Sequence, residues 1–186
     1  MHKIILASQS PRRKQLLEAA EIPFDIIIAD VDETNPHGMP GELVPEFLAQ
    51  KKANAIVAHA QDAIIIAADT VVLLDHQILG KPNDEKHAIE MLQNLQGRIH
   101  QVVTGVCIQS ATKKVSFSVT TEVHFRPMTT TQIEHYVNNY KPFDKAGAYA
   151  IQEWIGMLGI EKINGDYYNV MGLPIGEVVK KLQEFN

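Results

Sequence analysis

Apolar residues follow two rhythms along this chain, unbroken short runs and stripes spaced by three or four, and their alternation predicts its elements. The Ile-rich run KIILA at 3–7 predicts a buried strand. Pro11 then stands at a helix start, with Ser10 as N-cap and Leu16, Leu17 and Ala20 as the apolar stripe. A second strand is predicted for FDIII at 24–28, followed by a loop in ADVDETNPHGMPG, where prolines, glycines and acids cluster. A helix from about 42 to 60 turns Phe47, Leu48, Ile56 and Val57 toward a core.

Farther along, AIIIAA and VVLL predict strands on either side of Asp69-Thr70, with a turn at Asp75-His76 and a loop at GKPN. DEKHAIEMLQNLQG has helical periodicity and stops at Gly97. The β-branched stretches IHQVVTGVCIQS and VSFSVTTEVHF predict two long strands, an antiparallel hairpin joined around Ala111-Thr112-Lys113. Thr131 and Glu134 suggest a capping box for a helix through Asn139, and GLPIGEVVKKLQEF supplies the C-terminal helix. The fold class is α/β with a mixed sheet, because a strictly parallel sheet would not contain that hairpin. Residues 1–186 are expected to form a single domain, which a cleft can divide into two lobes.

Composition narrows the function. With 17 Lys+Arg against 22 Asp+Glu and a net charge of -5, the chain lacks the overall basic field of a nonspecific nucleic-acid binder, so any anion site has to be local. The single Cys107 excludes an intramolecular disulfide and fits a reducing compartment. No apolar stretch reaches the roughly 20 residues of a membrane span, and AIIIAADTVVLL carries Asp69 at its centre. A cytoplasmic location is expected.

Several positions carry candidate chemistry. SQSPRR, at 8–13, places Arg12 and Arg13 on the first turn of a helix, where free N–H groups and the dipole favour a phosphate; the competing reading is a capped helix with solvated arginines. Asp69 within an apolar run requires a partner, a cation or a water, although hydrogen bonds to backbone at a strand break would also satisfy it. Glu33, in the loop with Asp30 and Asp32, can bring a second carboxylate to the same Mg²⁺ or remain solvated. Lys81, between Gly80 and Pro82, is placed to meet an oxyanion, whereas Lys52 beside Lys51 reads by position as solvent-facing. Lys145 opens a loop in which Gly147 permits close approach to a ligand, and Gln152 offers an amide to the edge of a base. The eight histidines show no zinc-ligand spacing, and Cys107 reads as a small buried hydrophobe.

Together the stretches LASQSPRRKQLL, the acidic loop with Glu33, the Lys52 helix, AADTVV, GKP, HQVVTGV, DKAGAYAIQ and INGDYYNVMGLP resemble the Maf family of nucleoside triphosphate pyrophosphatases. The resemblance spans nearly the whole chain. It implies a fold like that of the inosine triphosphate pyrophosphatases, an elongated mixed sheet flanked by helices with a central cleft between two lobes. It also implies hydrolysis of a nucleoside triphosphate to the monophosphate and pyrophosphate with a divalent metal cation, Mg²⁺ or Mn²⁺. By the resemblance, Asp69 is the catalytic proton acceptor, Arg12, Arg13, Lys52 and Lys81 bind phosphates, Ser8 lies in the phosphate turn, and Glu33 lies near the metal. If Asp69 ligates the metal directly, it cannot also be the free base. Arg12, Thr70 and Gln152 match the subgroup acting on dTTP and UTP. Where the family pattern has a glycine after the AIQ glutamine, this chain has Glu153-Trp154. The partners expected are a nucleoside triphosphate, no nucleic acid and no membrane, with a homodimer left open. A different class of function, a nucleotide-responsive regulator of septum formation, would bind at the same site without turnover.

Overall fold

Strand β1 (Lys3–Leu6) lies parallel between the short β2 (Asp25–Ile26) and the twelve-residue β3 (Ala63–Leu74), and β4 (Gln77–Leu79) turns back antiparallel on the far end of β3. Along its other edge β3 pairs antiparallel with β5 (Ile99–Gln109), which forms the expected hairpin with β6 (Lys114–Phe125), and β7 (Ile160–Asn164) closes the sheet. This is a computed structural model, and it describes residues 3–60 and 62–185. Among the described residues the α-helices are α1 (Pro11–Ala19), α2 (Val44–Val57), α3 (Glu85–Leu95), α4 (Thr130–Tyr140), α5 (Trp154–Gly159), α6 (Tyr167–Met171) and α7 (Ile175–Leu182).

The alternation of side chains along β1 and β3 divides the core between two faces of the sheet. Leu6, Ile64, Ile66 and Ala68 pack with Leu17 of α1 and Val178 of α7, while Ile5, Ile65 and Ala67 pack with Ala49 and Ala53 of α2. A further cluster at the other end joins Val72 and Leu74 to Leu92 of α3, Ile133 and Tyr136 of α4, and Ile155 of α5. The mixed sheet with helices on its faces is therefore the fold the sequence predicts.

Several local expectations change. AIIIAADTVVLL is one continuous strand, so Asp69 does not sit at a strand break. The FDIII strand shrinks to two residues, since β1 offers β2 only two partners and Ile26, Ile27 and Ile28 stay exposed. The capping box of α4 is built by Thr129 and Gln132, two residues before the expected pair. Ser10 occupies the N-cap position of α1 without a side-chain bond. The segment from Trp154 to Met171 holds α5, β7 and α6, none of them expected, because helices of six and five residues are too short to show a period. Gly97, with φ of 68°, does end α3.

The edge of β3 that faces β1 and β4 is interrupted. β1 covers Ala63 to Ile66 and β4 covers Val72 to Leu74, so neither strand pairs with the stretch from Ala67 to Val71. Arg13 fills this gap. Its Nη1 donates to Ala68 O at 2.8 Å, where a neighbouring strand would otherwise have bonded, and its Nε donates to Gly172 O at 2.8 Å. A lysine cannot reach both carbonyls from one ammonium and leaves a buried acceptor unpaired. Arg13→Lys should therefore lower unfolding stability by about 2–4 kcal/mol, whereas Arg12→Lys should change it by no more than about 0.5 kcal/mol. Urea denaturation of the two variants checks the contrast.

Candidate active site

Asp69 pairs with Gly105 across the β3–β5 ladder, so both face α2. A side chain at 105 would collide with the helix, its Cβ falling 2.1 Å from Glu46 N, and glycine is what lets α2 lie this close. Two turns along that helix, Lys52 points inward with only 8% of its surface exposed, which corrects the solvent-facing expectation. Its Nζ lies 2.6 Å from Asp69 Oδ1 and 2.9 Å from Glu33 Oε1. A buried ammonium is tolerable only with such partners. Partial burial pushes the Glu33 carboxyl up, but the Lys52 bond and charge, with Lys81 and Arg13 farther off, outweigh burial and hold it below its ordinary value.

Thr70 points to the opposite face, where it meets its ladder partner Thr104. Arg13 Nη2 donates to Thr70 Oγ1 at 3.0 Å, the two threonine hydroxyls are 2.9 Å apart, and Thr104 Oγ1 donates to Asn169 O at 3.1 Å. Ser8 Oγ accepts from Arg13 Nη1 at 3.1 Å and from Ser10 N at 3.2 Å, closing the turn between β1 and α1. Arg13 is thus neither a solvated arginine nor a free phosphate fork. Four of its five N–H groups are committed to protein, and burial lowers its pKa against the opposing pull of Asp69.

The far wall comes from the loop after α4. Arg12 Nη1 lies 3.1 Å from Asp144 Oδ2, and Lys145 Nζ lies 2.7 Å from Asp144 Oδ1 and 3.5 Å from Glu153 Oε1. Gly147 N donates to Gly80 O at 3.0 Å, tying this loop to the one that carries Lys81. Gly147 has φ of 67°, and a Cβ there would fall 2.9 Å from Val72 Cγ2. Gln152 is exposed on the same wall.

A cavity of about 580 Å³ lies between these walls, and Ser8, Arg12, Arg13, Glu33, Lys52, Asp69, Thr70, Lys81 and Gln152 all line it. The structure brings together every site residue expected from sequence. It adds Asp144 and Lys145; the glycine-rich loop signalled Lys145 as near a ligand, while nothing in the sequence distinguished Asp144. Five cations, Arg12, Arg13, Lys52, Lys81 and Lys145, face three acids, Glu33, Asp69 and Asp144. The acidic chain therefore holds a local positive site that suits a polyanion.

No group of three or more His, Cys, Asp or Glu able to hold a metal occurs among the described residues. Two carboxylates on one centre nevertheless fit a divalent cation of the Mg²⁺ type, which binds through one or two carboxylates, substrate phosphates and waters. Lys52 takes one oxygen of each acid, and Asp69 Oδ2 and Glu33 Oε2 are the oxygens it leaves. His100 is buried with Nε2 2.7 Å from the Tyr149 hydroxyl, and burial lowers its pKa to about 3, so it stays neutral in the core. Cys107 is buried too, its thiol pushed up to about 11 by desolvation.

A protein from Cytophaga hutchinsonii named dTTP/UTP pyrophosphatase is 49% identical over 181 residues, covering 97% of this chain and 83% of the relative. One of the same name from Bacillus cereus is 47% identical over 187 residues, covering 100% of this chain and 97% of the relative. Among solved structures, a HAM1 protein from Coxiella burnetii superposes with a TM-score of 0.53 at 14% identity, over 99% of this chain and 100% of its own, a likeness of fold alone. Among the described residues no helix is long and apolar enough to cross a membrane. The family model described as Maf-like protein matches residues 3–185, and with relatives of this identity along nearly its full length the chain belongs to the Maf family.

Proposed function

We infer that this chain is a nucleoside triphosphate pyrophosphatase that hydrolyses dTTP and UTP to the monophosphate and pyrophosphate. The observation that carries the reading is the convergence of Arg12, Lys52, Lys81 and Lys145 around Asp69 in one cavity, in a chain whose near full-length relatives carry that name. Transfer of a phosphoryl or nucleotidyl group asks a protein mainly for positioning and charge neutralisation. Arg12 and Lys81, from different walls, would take the phosphate oxygens, helped by the free N–H groups at the start of α1 and the remaining N–H of Arg13. Ser8 keeps its hydroxyl proton for a phosphate oxygen, because its oxygen only accepts from Ser10 and Arg13.

Lys52 fixes Asp69 by one oxygen, so the other can orient a water and accept its proton. The water oxygen bonds to phosphorus as the bond to the bridging oxygen breaks, and pyrophosphate leaves with that oxygen. Glu33, with the substrate phosphates, would hold a divalent cation, which when bound supplies further neutralisation of the phosphates, while Asp69 Oδ2 is kept for the water. Gln152 and Thr70 would meet the base. An amide carries one donor and one acceptor, matching the N3–H and a neighbouring carbonyl of uracil or thymine.

Three outcomes test the reading. A panel of dTTP, UTP, CTP, ATP and GTP with Mg²⁺ should release pyrophosphate, fastest from dTTP and UTP; orthophosphate as the product, or a purine preference, would contradict it. Asp69→Asn, which keeps the size and removes the charge, should lower turnover by about 100-fold or more while circular dichroism shows the fold retained. Chelation with EDTA should stop pyrophosphate release and added Mg²⁺ or Mn²⁺ restore it, and turnover that persists in EDTA would remove the cation from the scheme.

A further inference from the structure

The turn that presents Gln152 is fastened at both ends by one hydroxyl. Glu153 N donates to Ala150 O at 3.1 Å, closing a four-residue turn in which Gln152 is the third residue. Tyr136, fully buried on α4, accepts from Ala150 N at 3.2 Å through its hydroxyl oxygen and donates its proton to Glu153 Oε2. The other carboxylate oxygen of Glu153 faces Lys145. Behind the turn α5 packs against its backbone at Gly156, where a Cβ would fall 1.7 Å from Ile151 O. Trp154 packs against the core and lies beside His135 of α4, the ring centroids 4.9 Å apart. Gln152 itself is exposed and lines the cavity, so the turn is fixed from behind while its third residue fronts the ligand space.

A glutamine amide can pair with the N3–H and a carbonyl of uracil or thymine only when the backbone that carries it holds it within reach of that edge. Glu153, the residue that follows Gln152, is the one that receives the tyrosine proton. We propose that Tyr136 and Glu153 are positioning residues for base choice: their hydroxyl-to-carboxylate bond holds the Ala150–Glu153 turn so that Gln152 discriminates uracil and thymine from cytosine. The inference rests on the dTTP/UTP reading and deepens it. Neither residue touches the nucleotide in this scheme. Each acts through the backbone of the turn.

The test is kcat/KM for UTP and for CTP, with Mg²⁺, in wild type, Tyr136→Phe, Glu153→Ala and Glu153→Gln, with melting temperatures recorded alongside. Wild type should prefer UTP. Tyr136→Phe and Glu153→Ala should narrow the UTP to CTP ratio about tenfold, by loss on UTP rather than gain on CTP. Glu153→Gln keeps an acceptor for the hydroxyl and should keep the ratio. A role confined to stability would lower both substrates together and leave the ratio alone. A ratio unchanged in Tyr136→Phe and Glu153→Ala, or narrowed equally in Glu153→Gln, overturns the clamp while leaving the dTTP/UTP reading intact. Equal efficiency of wild type on UTP and CTP overturns that reading and the clamp with it. Should Tyr136→Phe fail to fold, the Glu153→Ala and Glu153→Gln pair decides, since the glutamine rescues the ratio only if the bond matters.

Discussion

A carboxylate in the middle of a buried twelve-residue strand has to be neutralised from inside the protein, and much of the surrounding architecture serves to bring one ammonium to Asp69. Desolvating two such charges costs several kcal/mol per ion unless their geometry is close and their remaining positions are filled. The 2.6 Å contact with Lys52 meets the first condition, and Glu33 on the same ammonium helps meet the second. For Lys52 to reach, α2 must lie against β5 at backbone distance, which is why Gly105 stands opposite Asp69. The first turn of that helix is fastened to β6, where Ser116 and Ser118 donate to the Glu46 carboxylate at 2.6 and 3.0 Å. Removing Lys52 would leave one buried acid without its counter-charge, so the pair serves stability and, in the proposed scheme, chemistry as well.

The second constraint is the interruption along β3. A continuous strand beside Ala67 to Val71 would have covered the backbone there and separated the two faces of the sheet. Without it, consecutive residues pointing to opposite faces, Asp69 toward α2 and Thr70 toward α6, line the same cavity. Arg13 makes the interruption affordable by bonding Ala68 O, and it adds positive charge beneath the site. Fields inside a partly enclosed cleft are less screened than at the surface, so two surplus cations there outweigh the diffuse charge of -5 carried by the whole chain.

Much of this was legible in the sequence because its causes are local. A proline at a helix start, a long β-branched hairpin and an acid inside an apolar run announce themselves within a few residues. What could not be read depends on contacts far apart in sequence. Lys52 beside Lys51 looks like a solvated face until Gly105, 53 positions later, lets its helix approach the sheet. Arg13 resembles Arg12 in sequence, yet one fills a gap between strands and the other faces Asp144 across the cleft. The elements between Trp154 and Met171 are short, and tertiary contacts such as the close approach at Gly156 hold them where periodicity is too brief to register.

The buried hydroxyl chain beside the cleft has a direction, and that direction limits what Thr70 can do. Asn169 O can only accept, so Thr104 spends its single proton there and must accept from Thr70. Thr70 spends its proton in turn on Thr104 while accepting from Arg13, whose guanidinium can only donate. What remains on Thr70 is a lone pair, so any ligand group that bonds to it has to bring the hydrogen. Uracil and thymine carry such a hydrogen on N3 and cytosine does not, although the cytosine amino group can supply one from a neighbouring position. Thr70 alone therefore cannot exclude cytosine. In the proposed scheme the discrimination needs a second reader with both a donor and an acceptor, which gives the placement of Gln152 its importance.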